Sequence, residues 1–94
     1  MDITRELRNL VSTGEVHFGF DQADKAATEK KAKLIIIANN AKQEHVDRIR
    51  GFEGVKIFDF EGNNFELGAA CGKPFSIPML AVLNEGESNI LDLM

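Results

Sequence analysis

Apolar residues at Ile3, Leu7, Leu10 and Val11 repeat at helical spacing, behind a potential N-cap at Asp2 and ahead of a stop at Gly14. The rhythm then changes. Val16, Phe18 and Phe20 fall on alternate positions, so Glu15–Phe20 is expected to be a short strand. After the break at Gly19-Phe20-Asp21, the charged and Ala-rich stretch Asp21–Lys31 is expected to form a helix. Its buried side would be Ala23, Ala26 and Ala27, small enough for the helix to lie close against a sheet. Lys33–Ala38 is an unbroken aliphatic run between charged and Asn residues, the mark of a central strand covered on both faces.

Asn39-Asn40-Ala41 reads as a turn, and Lys42–Phe52 as a helix with Val46, Ile49 and Phe52 inward. Gly54–Phe60 alternates as a further strand. Asn63 or Asn64 would cap a short helix that runs to about Cys71 and ends at Gly72. Ile77–Leu83, entered through Pro78, is the last strand. A turn over Asn84–Ser88 and a helical turn carrying Ile90 and Leu91 would close the chain. Helices alternating with strands in this way imply a single α/β domain. Its expected form is a three-layer α-β-α sandwich around a roughly four-stranded mixed sheet.

Composition narrows the chemistry. The chain has 94 residues, enough for one modest core, and a single cysteine. One cysteine excludes an internal disulfide and a cysteine-based zinc site, and fits a reducing compartment. The N-terminus MDITRELRN is charged rather than signal-like, and the apolar runs Leu34–Ala38 and Met79–Leu83 are too short to span a bilayer. The expected setting is therefore the cytoplasm, with no membrane. The net charge of −4 is unevenly spread. Residues 1–51 carry nine Lys/Arg against eight Asp/Glu, and residues 52–94 carry two against seven. A local basic face is possible, but a strong long-range field toward phosphate is not expected.

Catalysis finds little support. His17 and His45 have no acidic or thiol partner at ligand spacing, and Cys71 at a helix C-terminus faces the pole that raises a thiol pKa. Gly62, Gly68 and Gly72 do not have phosphate-loop spacing. No motif calls for a metal or cofactor. A binding surface is better supported. Chain breaks at Gly19–Lys25, Asn39–Lys42 and Gly72–Ile77 would gather at one edge of a layered sheet, the usual place for a site. The first offers helix N–H groups with Asp21, Gln22 and Lys25, although Asp21 also reads as a plain N-cap. The second offers the amides of Asn39-Asn40, which also suit a simple turn. The third offers Lys73, Pro74 and Phe75, a cation, a stiff backbone and a ring that could instead fold onto the core.

AKLIIIANNA (Ala32–Ala41), FEGNNFELGAACGKPF (Phe60–Phe75) and GESNIL (Gly86–Leu91) closely resemble the archaeal and eukaryotic large-subunit ribosomal protein of the "thirty-e" family. That family is a branch of the wider kink-turn RNA-binding group named for the L-seven-Ae ribosomal protein. The resemblance covers about residues 3–91. It implies an α-β-α sandwich and recognition of a kink-turn, a sharply bent internal loop with sheared G·A pairs and an extruded nucleotide. The group's first-helix motif Gly-x-Asn-Glu-x-x-Lys reads GFDQADK here, which places Gly19, Asp21, Gln22 and Lys25 on matching positions. Asn40 matches the Asn after the aliphatic strand, and Lys73, Pro74, Phe75, Ser76 and Ile77 match the third contact segment. Asp21 departs from the Lys or Asn often found there, and His45–Val55 is a few residues shorter than usual.

The resemblance implies a division of labour at this edge. Gln22 and Asn40 would bond guanine edges, Lys25 and Lys73 would neutralise phosphate, and Phe75 and Ile77 would lie under the extruded base. The expected partners are ribosomal RNA and the large ribosomal subunit, with a monomer when free. Two other readings stand beside this one: a non-ribosomal kink-turn adaptor in an RNA-processing particle, and an acidic protein–protein module of the same fold.

Overall fold

A computed structural model describes residues 2–93. Four helices and four strands alternate along it. They are α1 (Ile3–Thr13), β1 (Glu15–Phe18), α2 (Phe20–Thr28), β2 (Leu34–Ile37), α3 (Gln43–Arg50), β3 (Ile57–Asp59), α4 (Asn64–Ala70) and β4 (Met79–Asn84), and a 3-10 turn at Ile90–Leu93 follows. The strands form one sheet in the order β1-β4-β2-β3. β4 runs antiparallel to both of its neighbours, and β2 and β3 are parallel, joined by a crossover through α3.

The three-layer arrangement follows from the two-residue period of the central strands. Leu34 and Ile36 of β2, with Leu80 and Val82 of β4, face α1 and α4, where Leu7, Leu10, Leu67, Ala70 and Cys71 complete one core. Ile35 and Ile37, with Met79 and Ala81, face the other way, onto Ala23, Ala26 and Ala27 of α2 and Ile49 of α3. All four residues of β2 are buried, which explains its unbroken aliphatic run. The alanine face of α2 lets that helix sit against the sheet as the spacing predicts.

Local signals fix the element ends. Asp2 caps α1 by accepting from the amides of Thr4 and Arg5. Asn63 rather than Asn64 caps α4, in a reciprocal capping box with Glu66. The first strand is shorter than its alternation suggested. Gly19, at φ 94°, turns the chain after Phe18, and Phe20 is already the first residue of α2. The Phe20 ring lies flat on His45 of α3, with centroids 3.8 Å apart and 5° between planes, so the two helix starts are stacked together. α3 stops at Arg50, short of Phe52, whose ring instead lies 4.8 Å beneath the Arg48 guanidinium. β3 is trimmed to three residues because it is an edge strand paired only with β2.

Candidate nucleic-acid interface

The three chain breaks meet at one end of the sheet. There β1, β2 and β3 finish and β4 begins, and a row of backbone bonds ties the connecting segments across it. Gly19 N donates to Met79 O at 2.8 Å, Ala38 N to Pro78 O at 2.8 Å and Asn39 N to Gly62 O at 2.8 Å. The connecting segments of the rim are therefore hydrogen-bonded onto the sheet that carries them. No single pocket holds the side chains, however, because the rim spans both outer layers. α2 lies on one face, and α4 with the 72–77 loop on the other.

On the α2 face, Gly19 is the N-cap, and Asp21 and Gln22 occupy the exposed first turn. Asp21 is not the cap, so the N-cap reading of it fails. Gln22 and Lys25 line a groove of about 400 Å³ between α2 and β1, together with Glu15, His17, Glu29 and Lys31. Lys31 is matched locally, 3.5 Å from Glu29, and the His17 ring lies 3.6 Å from Glu15. Lys25 has no ion pair among the described residues, which leaves its ammonium for a ligand.

On the α4 face, the loop after Gly72 crosses the helix closely. A Cβ on Gly68 would stand 2.1 Å from the Phe75 carbonyl oxygen, so only a glycine lets the loop lie there. This accounts for the glycine within the FELGAACGK stretch. The loop presents a half-exposed Phe75, whose ring meets that of Phe18 edge-on at 6.0 Å. Lys73 holds its ammonium 5.8 Å from the same Phe18 ring. Pro74 and Ser76 are exposed beside them. Ile77 is different. Its side chain is 1% exposed within the core, so it does not lie open to a base as the resemblance implied. It anchors the loop, and its amide donates to Asn64 O at 2.9 Å.

Asn40 joins the two faces. Its Nδ2 donates to Asn64 Oδ1 at 2.9 Å, and its Oδ1 accepts from Asn64 N at 2.8 Å. Asn64 thereby holds the Asn39–Lys42 segment through its side chain and amide, and the 72–77 loop through its carbonyl. One hydrogen of the Asn40 Nδ2 group and one Oδ1 lone pair are left for a ligand. The sequence reading saw Asn64 only as a possible cap and missed this bridging role. The repeated Asn-Asn pairs at 39–40 and 63–64 were its visible signal. It also passed over Lys42, the exposed N-cap of α3 on the rim, and Phe65. Phe65 is the most exposed large apolar side chain among the described residues, at 72%. The buried set Leu67, Gly68 and Ala70 implies an outward Phe65 by helical periodicity alone.

No cluster of His, Cys, Asp or Glu among the described residues could hold a metal ion. Cys71 is buried, and loss of hydration pushes its thiol up to about 11 against a small opposing pull from Lys73, so it is a poor nucleophile. No helix of the described residues is long and apolar enough to cross a membrane.

Residues 1–92 match the model of the "Ribosomal protein L7Ae/L30e/S12e/Gadd45 family". The chain is 39% identical over 93 residues to the large ribosomal subunit protein eL30 of Methanoregula boonei, covering 99% of this chain and 96% of that one. It is 41% identical over 97 residues to the eL30 protein of Pyrobaculum islandicum, covering 100% and 96%. A solved structure of a Bacillus halodurans protein of unknown function superposes with a TM-score of 0.79 at 21% identity, over 98% of this chain and 94% of that one, a likeness of fold.

Proposed function

The chain belongs to the ribosomal protein L7Ae/L30e/S12e/Gadd45 family, and on that premise we propose that it is a large-subunit ribosomal protein that binds ribosomal RNA at a kink-turn-like internal loop. The observation that carries this reading is the rim. Three segments far apart in sequence are locked together by backbone bonds and by the Asn40–Asn64 pair, and cations and an aromatic ring flank them on two faces. A rigid ridge with a groove on either side suits a nucleic acid that bends sharply, since each arm can run along one face. A straight duplex would touch only one.

Each residue then has a task set by its place. The amides at the start of α2 and Gln22 face the RNA with hydrogen-bond groups. Lys25 and Lys73 take phosphate oxygens, one on each face. Asn40 uses its remaining amide hydrogen on a base edge while its other bonds hold the rim in shape. Phe75 stacks on an unpaired base. Asp21 accepts from a guanine N–H but opposes phosphate, so shape and base contacts carry more of the affinity than charge does. The role is binding rather than catalysis, and the free chain is a cytoplasmic monomer.

The test is a titration of the purified protein against a kink-turn RNA and a straight duplex of equal length. The expected result is preference for the bent RNA, a shallow salt slope of about 2–4 released ions, and weakened binding by Lys25→Glu at unchanged melting temperature. Equal binding to both RNAs, or none to either, overturns the reading. Co-sedimentation of the protein with large ribosomal subunits tests its place in the particle.

A further inference from the structure

Only two large apolar side chains are exposed among the described residues, Phe65 and Phe75, and they line the same groove. Its volume is about 310 Å³, and Ala69, Lys73, Pro74 and Ser76 complete its lining. Phe65 stands on the outward side of α4, where nothing in the core needs a ring. Phe75 stands on the loop that Gly68 allows to cross that helix. We infer that Phe65 and Phe75 are the two sides of an aromatic slot that brackets one unstacked RNA base, with Lys73 near the phosphate beside it.

The inference rests on the RNA-binding reading above and goes beyond it, since that reading gives the base one ring and leaves Phe65 without a task. Three observations favour a nucleobase as the occupant. The slot is small, whereas a stable protein interface needs about 800 Å² on each partner. The exposed apolar groups are both flat rings, which suit a π-face of any base. The slot is continuous with the rim through Asn64, the residue before Phe65, and a cation sits in its lining.

The experiment uses a kink-turn RNA with 2-aminopurine at the extruded position and measures affinity, fluorescence quenching and thermal melting for the full chain and for Phe65→Ala, Phe65→Leu and Phe65→Tyr. Phe65→Ala is expected to bind about 10-fold more weakly, in keeping with the loss of one stacking contact, and to lose part of the quenching at an unchanged melting temperature. Phe65→Tyr is expected to restore both, and Phe65→Leu is not. Wild-type affinity and quenching in Phe65→Ala overturn the slot and leave the RNA reading standing. Recovery by Phe65→Leu overturns it too, because apolar cover alone would then suffice. Failure of the unmodified protein to bind any kink-turn RNA overturns the slot and the function together.

Discussion

The close crossing at Gly68 makes a sharp test, because two effects of known sign oppose each other there. Replacing Gly68 by Ala raises helix propensity and would by itself stabilise α4 by about 1 kcal/mol. The added methyl, however, would lie 2.1 Å from the Phe75 carbonyl oxygen and 3.1 Å from its carbon. The oxygen must retreat about 0.9 Å to reach even the 3.0 Å that real contacts rarely undercut. A flexible side-chain tip could do this cheaply. A backbone carbonyl in a loop pinned by Gly72 at one end and buried Ile77 at the other cannot. Overpacking of this kind costs about 1–3 kcal/mol, and a rigid obstacle places it in the upper part of that range. The net effect is a loss of about 1–2 kcal/mol. For a domain of this size that lowers the melting temperature by about 4–15 °C. The chain has no Trp or Tyr, so melting is followed by circular dichroism. RNA affinity should fall as well, because Phe75 and Lys73 move with the loop. A Gly68→Ala protein that melts at or above the wild-type temperature would refute the crossing and with it the proposed placement of Phe75.

Other outcomes follow from particular contacts. Ser88 is buried, donates to Glu6 O and to Glu6 Oε1, and accepts from Ile90 N, so Ser88→Ala should cost about 1–3 kcal/mol, read from denaturant unfolding. Asn40→Ala should lower both melting temperature and RNA affinity, because it removes the donor to Asn64 Oδ1 and the acceptor for Asn64 N; an unchanged melting temperature would deny the clamp. The Cys71 thiol is raised from 9.0 to about 11 by burial. The unfolded chain therefore releases that proton first, and the contribution to stability is whole below pH 9 and lost as pH rises through about 11. Urea titrations across pH 8–11 should show this decline, and Cys71→Ala should flatten it. Glu61→Lys on the rim should speed RNA association more than Glu87→Lys does, as stopped-flow rates at low salt would reveal.

The layers and the core were legible in the sequence because their signals are local. Four buried aliphatics in β2, alternating faces in β4 and an alanine stripe on α2 each encode burial directly. The convergence of the three breaks could also be inferred, since layered sheets put such turns at shared ends. What escaped was set by contacts between distant residues. Phe20 continues the alternation of Val16 and Phe18, but the turn at Gly19 makes it the first residue of α2, where its ring stacks on His45, 25 positions away. Ile77 sits in a loop pattern that elsewhere faces solvent, yet the groove between α4 and β4 draws it inward. The GESNIL stretch was recognised as a signature without a reason. Its reason lies at the far end of the molecule. Gly86 packs so closely on Thr13 and Gly14 that a Cβ would be 2.5 Å from backbone, Thr13 Oγ1 accepts from Glu87 N, and Ser88 and Asn89 bind Glu6. That signature closes the chain onto α1 and takes no part in the rim.

This separation also explains how a chain of net charge −4 can be offered as an RNA binder. Glu85 and Glu87 follow the end of β4 and lie at the opposite end of the sheet from the rim, with Glu85 held by Lys33. Glu53 borders the groove beside the C-terminal end of α2, also away from the rim. Charges that far away act on phosphate through more than one Debye length and are largely screened at physiological salt. Of the acids at the rim end, Asp59 and Glu61 lie at its β3 side, where Asp59 is paired with Arg50, and Asp21 stands exposed in the first turn of α2. Lys25 and Lys73 flank the β1 and β4 side instead. The rim therefore carries both signs, with Lys42 at the start of α3 as a further exposed cation. On the proposed reading, an RNA seated across it meets Lys25 and Lys73 on the side that also holds Phe18 and Phe75. Net charge averages over this local arrangement, so it is a poor guide to what the rim can bind.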